Sequence, residues 1–268
     1  MGKRNFSIAS LPGFGTIAMI TFVFLYLPIV TLVVYSFNEA ASMARWEGFS
    51  LRWYEAALNN RQVQDVSIRS LVIAAWAASL ATILATMAAL ATTRNERRFP
   101  GQTMVYALIN QPLMVPEIVT GVALLIFFAM IKVSTGYQGL GYLIAAHTAF
   151  CIPFAYLPIR ARLETMDLTL ERAAADLYAT PLQAFRHVTL PLLVPGVIAG
   201  FMLAFVTSLD TVVITEFIKS AGQDTLPTYM LGQMRRVITP EMNAISTLFL
   251  LLSLIAVTVF FLLSRKKA

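Results

Sequence analysis

The sequence predicts an all-α protein that crosses a membrane about six times, and three observations support this fold class. Of the 268 residues, 58% are hydrophobic and only 13% are charged. A soluble domain carries roughly 25% charged residues, so this chain has too little charge to cover a surface exposed to water. The apolar residues also gather into long segments, and basic residues lie in short clusters between those segments. Such clusters orient helices in a membrane.

The predicted helices are long enough to cross the hydrocarbon core, which takes about 20 mostly apolar residues. The first segment is too long for the apolar region of a signal peptide, so it is predicted to be a retained span. The first, second and sixth segments are the most uniformly apolar. The six predicted spans cover residues of about 13–37, 70–92, 104–131, 140–159, 195–218 and 245–263.

Prolines and carboxylates interrupt the third and fifth spans. Pro112 and Pro116 predict a kink or an unwound turn in span three, because proline lacks the backbone N–H that a helix interior uses. Glu117 follows at once, and Asp210 and Glu216 lie in span five. A charged group at membrane depth costs about 3 kcal/mol, so we predict that these three carboxylates face a translocation path. Structural pairing or helix capping, hinge support and an interfacial position are the alternatives.

The lysines and arginines place both termini in the cytoplasm. With that orientation, twelve of the 20 basic residues lie on the cytoplasmic side and eight on the other side. The clusters at 94–98 and 265–267 directly follow predicted spans, where positive charge has most effect on orientation. The outer side then carries the segments 38–69 and 219–244. Residues 51–58, in the first of these, predict a short amphipathic helix at the membrane surface.

Several functional classes are disfavoured. The net charge is +6, but the basic residues form no stripe with interleaved aromatic residues, so no nucleic-acid partner is predicted. The single cysteine, Cys151, and the two histidines provide neither a disulfide framework nor a metal cluster. His147, in span four, is interpreted as a hydrogen-bonded packing residue. The sequence has no phosphate-binding loop and no hydrolase motif, so the chain is predicted to be non-catalytic and to bind no cofactor itself.

The largest inner segment, residues 164–194, predicts two short helices joined by a turn. Thr180 can cap a second helix that starts at Pro181, the first-turn position that proline favours. Pro191 and Pro195 are expected to end that helix before the fifth span. On periodicity alone, an ordinary amphipathic loop is an equal alternative.

The same segment resembles a motif of binding-protein-dependent ABC permeases: E-A-A, three residues, G, nine residues and I-x-L-P. Residues 172–174 stand at E-A-A, Tyr178 at the glycine, and 188–191 at I-x-L-P with the spacing intact. Arginine replaces the motif's glutamate, with Glu171 one position earlier, and tyrosine replaces the glycine. The resemblance implies a coupling helix that docks into a cleft of an ATPase subunit. The residues it assigns to that docking are Glu171, Arg172, Ala173, Ala174, Asp176, Tyr178, Ala179, Val188, Leu190 and Pro191.

Nearly the whole chain is similar to the second permease subunit of spermidine/putrescine importers. The stretches that carry this similarity include 26–29, 46–50, 116–119, 147–154 and 208–213. The resemblance implies a type I ABC importer permease (MetI-like) fold, in a single domain over residues 1–268, in a bacterial inner membrane. It also implies three protein partners: a second, similar permease chain, an ATPase homodimer that binds ATP and Mg²⁺, and an extracytoplasmic substrate-binding protein. The outer segments 38–69 and 219–244 are the expected docking surface for that binding protein.

The cargo and the rival classes stay open at this point. A polyamine is the cargo that the resemblance implies, but related permeases serve opines or amino-acid derivatives. A secondary transporter driven by an ion gradient would need inverted repeats and a midplane site within one chain, and the sequence shows no internal symmetry. A membrane enzyme or an assembly factor is the remaining alternative, and the missing catalytic residues speak against the enzyme.

Overall fold

The computed structural model describes residues 13–41, 45–94, 101–235 and 239–265. In these ranges the regular structure is helical, apart from one antiparallel bridge between Asn38 and Phe49. A π-helical segment, Phe185–Thr189, joins α8 to α9. The helices are α1 (Phe14–Tyr35), α2 (Arg52–Asn59), α3 (Arg61–Thr93), α4 (Gln102–Met114), α5 (Glu117–Thr135), α6 (Gly141–Thr165), α7 (Thr169–Asp176), α8 (Pro181–Ala184), α9 (Leu190–Asp210), α10 (Val213–Ile218), α11 (Leu226–Met234) and α12 (Pro240–Arg265).

Six helices in the described part of the chain are long and apolar enough to cross a membrane, which confirms the predicted number. By length and composition they are Gly15–Tyr35, Arg61–Thr93, Glu117–Thr135, Gly141–Thr165, Pro181–Asp210 and Pro240–Leu262. The fold is therefore all-α and polytopic, as predicted. The orientation of the termini stays a prediction. Seven of the basic residues behind it, Lys3, Arg4, Arg97, Arg98, Arg236, Lys266 and Lys267, lie outside the described residues.

The third predicted span, 104–131, is divided into two helices, at a position where the prolines predicted a kink or an unwound turn. Helix α4 ends at Met114, Val115 is extended (φ −101°, ψ 137°), and Pro116 precedes the first residue of α5. Proline disfavours the helical conformation of the residue before it and has no N–H to continue the hydrogen-bond ladder. These two effects explain the break at Val115–Pro116. Pro112, in contrast, lies inside α4 without ending it.

The predicted fifth span, 195–218, is displaced toward the N-terminus in the structure. The helix starts at Pro181, passes through the π-helical segment and ends at Asp210. The chain then breaks at Thr211, whose backbone is extended (φ −63°, ψ 112°), and α10 follows as a separate short helix.

The expectation that Pro191 and Pro195 end a second short helix is wrong. In the π-helical segment the hydrogen bonds reach one residue further back, so the N–H of Leu190 donates to the carbonyl of Phe185. Pro191 then falls in the first turn of α9, where its missing N–H costs little. The second half of the inner segment is therefore the beginning of the fifth span.

The described residues form two compact units. One comprises α1, α2 and the part of α12 up to Leu252. The other runs from Arg61 to Arg235 and takes in the rest of α12 from Ser253. The assignment of residues 1–268 to a single domain stays a prediction.

In the larger unit, α3, α6 and α9 pack against one another. A β-carbon on Gly200 would lie 2.7 Å from the carbonyl oxygen of Ala155, and one on Gly196 would lie 2.6 Å from Cβ of Arg162. Small residues on α3 and α9 thus let the helices approach closely. The fully buried alanines of α3 in this core are Ala78, Ala81, Ala85 and Ala89.

In the smaller unit, the side chain of Asn38 organises the segment between α1 and α2. Its Nδ2 donates to the carbonyl of Arg45 at 2.7 Å, and its Oδ1 accepts from the N–H of Glu47 at 3.0 Å. The indole N–H of Trp53 donates to the Asn38 carbonyl at 2.9 Å, and the hydroxyl of Tyr54 is hydrogen-bonded to Ser36 at 2.6 Å. The predicted amphipathic helix is confirmed as α2, and hydrogen bonds of its first turn hold it to this segment.

Candidate translocation path and coupling segment

Two helix breaks lie side by side in the larger unit. Helix α5 begins directly after the break at Val115–Pro116, and α10 begins directly after the break that follows α9. Helices α5 and α10 pack together so closely that a β-carbon on Gly121 would lie 2.9 Å from Cδ2 of Phe217. Interrupted helices expose backbone polar groups, which are tolerated at membrane depth only where protein or a cavity satisfies them. The paired breaks are therefore the expected position of a polar path.

Two of the three predicted path carboxylates lie near each other at these breaks. Glu117 is the first residue of α5, and Asp210 is the last residue of α9. The backbone N–H of Ile214 in α10 faces the carboxyl group of Glu117, and Asp210 is close enough to act on its charge. The other oxygen of Glu117, Oε1, is buried without a hydrogen-bond partner, as is Oγ1 of Thr120 one turn later.

The third predicted path residue, Glu216, has a different environment. Its Oε2 lies 2.7 Å from Nζ of Lys219, and the same ammonium group lies 2.6 Å from Oδ1 of Asp224. Glu216 thus has a basic partner, which it shares with Asp224. Among the residues that the structure describes, neither Glu117 nor Asp210 forms a salt bridge.

His147 bridges the two sides of the second break. It is 1% exposed in α6, and its two ring nitrogens reach two different helices. Nδ1 lies 2.8 Å from the hydroxyl of Ser208 in α9, and Nε2 lies 2.9 Å from the hydroxyl of Thr215 in α10. The interpretation of His147 as a hydrogen-bonded packing residue agrees with this geometry, but the sequence did not reveal which helices it joins.

The predicted coupling segment, residues 164–194, contains α7, which ends in a left-handed turn at Tyr178. The N–H of Tyr178 donates to the carbonyl of Ala175 at 2.9 Å, and the N–H of Ala179 donates to that of Ala174 at 3.0 Å. This pair of bonds is a Schellman motif, which usually has glycine at the left-handed position. Tyr178 has φ +60° and is the one non-glycine residue with positive φ in the described ranges. The glycine of the family motif, which Tyr178 replaces, thus corresponds to the position where the backbone turns.

Most of the residues assigned to ATPase docking lie on the surface of the described chain. Tyr178 is 95% exposed, and Arg172, Ala173, Asp176, Leu190 and Pro191 are also exposed, whereas Ala174, Ala179 and Val188 are half-buried. The carboxylate of Asp167, just before α7, accepts a hydrogen bond from the backbone N–H of Thr169 at 2.9 Å. That bond lowers the pKa of Asp167.

Glu171, in contrast, makes contacts within the chain. Its Oε1 accepts a hydrogen bond from the buried hydroxyl of Thr189 at 2.9 Å and lies 3.5 Å from Nε of Arg94 at the end of α3. Glu171 thereby ties α7 to the π-helical segment and to the second span. Sequence reasoning treated Arg94 only as an orienting charge. Arg94 and Glu171 lie far apart along the chain, so no local sequence pattern predicts their contact. The single hydroxyl of Thr189 does not predict its contact with Glu171 either.

The turn between α7 and α8 is closed by the predicted cap. The hydroxyl of Thr180 accepts from the N–H of Gln183 at 3.4 Å, and the Gln183 side chain accepts from the N–H of Thr180 at 2.8 Å. This reciprocal pair is a capping box, with Pro181 in the first turn. Helix α7, its left-handed end and the capped start of the fifth span therefore form one continuous, well-defined element.

Comparison with known proteins extends over most of the chain. A family model described as binding-protein-dependent transport system inner membrane component matches residues 81–267. The putrescine transport system permease protein PotI of Escherichia coli (strain K12) is 38% identical over 250 residues, which cover 92% of this chain and 89% of that protein. The spermidine/putrescine transport system permease protein PotC of Haemophilus influenzae is 36% identical, with 92% of this chain and 94% of that protein covered.

A solved structure shares the fold. A chain of a bacterial ABC transporter involved in the import of the acidic polysaccharide alginate superposes with a TM-score of 0.67 at 17% sequence identity. The match covers 93% of this chain and 92% of that one. The predicted fold of an ABC importer permease is thereby confirmed.

Proposed function

The chain belongs to the family of binding-protein-dependent transport system inner membrane components, and from that premise we propose that its cargo is a polyamine. Within this family it is the membrane-spanning permease subunit of an ABC importer. Two relatives named for putrescine and for spermidine/putrescine transport support the cargo. A polyamine carries several ammonium groups on an apolar stem, and the path must therefore attract positive charge without binding it too tightly.

The observation that carries the proposal is the pair of carboxylates at the helix breaks. Each charged group at membrane depth costs about 3 kcal/mol unless it is compensated. Glu117 and Asp210 lie near one another, and neither has a basic partner among the described residues. A cation that passes between them would supply the missing compensation, with Oε1 of Glu117 and Oγ1 of Thr120 as unused acceptors.

The helix ends add to this preference for a cation. Asp210 closes α9, where the helix dipole is negative and the last carbonyl groups have no partner within the helix. The dipole disfavours a carboxylate at that end. An ammonium group there is favoured by the dipole and by the carboxylate of Asp210. Broken helices in transporters use such carbonyl ends to bind cations. The site thus selects positive charge through two independent contributions.

We propose that the segment from α7 to the π-helical segment docks on the ATPase. ATP and Mg²⁺ would bind to that partner, and closure of its dimer would move α7 and, through Glu171, the end of α3. The exposed surface of the segment and its match to the coupling motif support this assignment. Replacing Ala174 by glutamate is expected to abolish ATP-driven uptake while the subunit still inserts, because a charge would enter the docking face. Unchanged uptake would contradict the docking assignment.

The remaining partners follow from the same arrangement. A cytoplasmic coupling segment requires both termini on the cytoplasmic side, and the segments 38–69 and 219–244 then face the substrate-binding protein. A second permease chain, similar to this one, would form the other half of the path. The hydrogen-bonded segment around Asn38 offers that binding protein a pre-organised surface.

The experiment is uptake of labelled putrescine and spermidine by the complete importer in proteoliposomes. Glu117→Gln and Asp210→Asn are each expected to lower uptake about tenfold or more, because a hydrogen bond to a charged group contributes about 1.5–3 kcal/mol. The affinity of the binding protein for its cargo should stay unchanged. Glu216→Gln is the matched control, and its effect should stay below about twofold, since Glu216 already has a basic partner in Lys219.

Two outcomes would contradict the proposal. Equal losses for all three variants would show that the breaks hold no special site. A binding protein that takes up opines or amino-acid derivatives and ignores polyamines in a calorimetric screen would overturn the cargo. Uptake that persists after the partner ATPase is disabled would instead overturn the ATP-driven mechanism.

A further inference from the structure

We propose that His147 is a positioning residue for transport: it holds α10 against the end of α9 and thereby places the amide of Ile214 at the carboxyl group of Glu117. This inference rests on the proposed role of Glu117 and Asp210 as path residues. In the described part of the chain, the hydrogen bonds of His147 go to Ser208 and Thr215, not to the path carboxylates.

The direction of these hydrogen bonds follows from the number of protons available. The hydroxyl of Thr215 donates its one proton to the carbonyl of Thr211 at 3.0 Å. Its oxygen can therefore only accept from His147, so Nε2 of the ring must carry a proton. In the neutral ring Nδ1 is then an acceptor, and Ser208 donates to it. One tautomer satisfies every group in this chain of bonds.

This chain of hydrogen bonds ends at the carbonyl of Thr211, in the break between α9 and α10. Thr211 is the extended residue between α9 and α10, and its carbonyl accepts from Thr215. Unsatisfied backbone groups are costly at membrane depth. His147 stabilises this arrangement, because its hydrogen bond orients the Thr215 hydroxyl toward the carbonyl of Thr211. The hydrogen bond to Ser208 fixes the ring to the last turns of α9 at the same time.

Helix α10 depends on such contacts for its position. It has six residues, and an isolated helix of that length is not stable in water. Contacts from other helices act on it: the hydrogen bond from His147 to Thr215 and the close packing of Gly121 in α5 against Phe217 are two of them, and the side chain of Ile214 is buried in the core. Ile214 directly precedes Thr215 along the chain. A shift of Thr215 therefore moves the amide that faces Glu117.

Substitutions can separate the hydrogen bond from the packing volume. His147→Leu keeps a side chain of similar size without a polar group, and Thr215→Val removes the hydroxyl that accepts from the ring. Both are expected to lower polyamine uptake by the complete importer about tenfold. His147→Gln keeps a donor and an acceptor at nearly the same reach, and it should restore uptake to within about threefold of the natural chain.

The matched control is Thr148→Val. Thr148 follows His147 directly in α6, and its hydroxyl donates to the carbonyl of Ile144 in its own helix at 2.7 Å. That bond stays within α6, so the variant removes a hydroxyl from the same region without breaking a hydrogen bond to α9 or α10. Uptake should stay within about twofold of the natural chain. If Thr148→Val and Thr215→Val lowered uptake equally, the special role of the His147 bond would be refuted.

A double-mutant cycle tests positioning directly. If His147 acts by placing the surroundings of Glu117, the combination of His147→Leu with Glu117→Gln should lower uptake no further than the more severe single variant. Independent roles would multiply the two losses, to about a hundredfold in total, and would overturn the proposal. If His147→Leu prevents assembly of the importer, the same cycle is run with Thr215→Val in its place.

The cycle also distinguishes failure of this inference from failure of the proposed path. If Glu117→Gln and Asp210→Asn leave uptake unchanged, the path assignment fails, and the positioning role falls with it. If those variants lower uptake while His147→Leu and Thr215→Val do not, the path assignment stands and only the positioning role is overturned.

Discussion

Replacing Tyr178 by glycine is expected to stabilise the end of α7, and one backbone angle sets the size of the effect. Tyr178 has φ +60° at the left-handed position of the turn. For a residue with a β-carbon this conformation costs roughly 1–2 kcal/mol, whereas glycine adopts it freely. Glycine also gains flexibility in the unfolded chain, which offsets roughly 0.5–1 kcal/mol. The side chain is 95% exposed, so little packing is lost, and the net stabilisation is about 0.5–1 kcal/mol.

Hydrogen exchange measures this change at the bonds that close the turn. The amides of Tyr178 and Ala179 donate to Ala175 and Ala174, and their exchange reports the local opening of α7. A stabilisation of about 0.5–1 kcal/mol slows that exchange about two- to fivefold. The measurement uses the permease chains in nanodiscs without the ATPase, so that docking cannot protect the same amides.

Tyr178→Ala is the matched control, because alanine lacks the ring but keeps the β-carbon. It should retain the cost of the left-handed conformation and exchange at least as fast as the natural chain. Equal exchange for Tyr178→Gly and the natural chain would refute the reasoning from the backbone angle. Slowing by alanine as large as that by glycine would assign the effect to the ring instead.

Three further predictions concern packing, capping and coupling. Gly200→Ala should destabilise the subunit by about 1–3 kcal/mol in thermal unfolding, because its β-carbon would meet the carbonyl of Ala155, which cannot turn away; unchanged stability would show that α6 and α9 can separate. Thr180→Ala should remove about 1 kcal/mol from the start of the fifth span, seen as faster exchange, and Thr180→Ser should restore it. Glu171→Gln should lower uptake more than ATP hydrolysis in the complete importer, since it weakens the contact of α7 with Arg94; an equal loss of both activities would contradict a transmitting role.

The comparison of predicted and observed spans shows where sequence patterns are sufficient. The first span is uniformly apolar, and α1 matches its predicted range within two residues at each end. The third and fifth spans contain prolines whose effect depends on context. Pro116 breaks its helix, because it disfavours the helical conformation of Val115 before it. Pro191 does not break its helix, because the π-helical segment before it shifts the hydrogen bonds by one residue and Pro191 falls in the first turn of α9. The sequence shows the same residue type in both places.

The candidate site was predicted in part. The cost of burying charge identified Glu117, Asp210 and Glu216 as residues that need an explanation. That cost does not show that Glu117 and Asp210 lie near each other, or that Lys219 pairs with Glu216. The helices that bring them together are separated by long stretches of chain, and their mutual positions follow from the packing of α5 against α10.

The coupling segment shows the same division. The spacing of the motif located the segment, and the identity of Thr180 and Pro181 predicted its cap. The departure at Tyr178 was visible in the sequence, but its consequence, a left-handed residue with a β-carbon, required the backbone. The role of Glu171 also required it, because Arg94 and Thr189 reach it from other helices.

The sequence by itself determined that this chain is an all-α membrane protein with six spans, because hydropathy and charge are summed over about 20 residues at a time and need no partner. It also determined the family, because motif spacing is a property of one continuous segment. Only the tertiary structure decided which polar groups meet. His147, Ser208 and Thr215 become one hydrogen-bonded set across the break beside Asp210 because three helices pack around it, and packing between distant segments leaves no periodic pattern in the sequence.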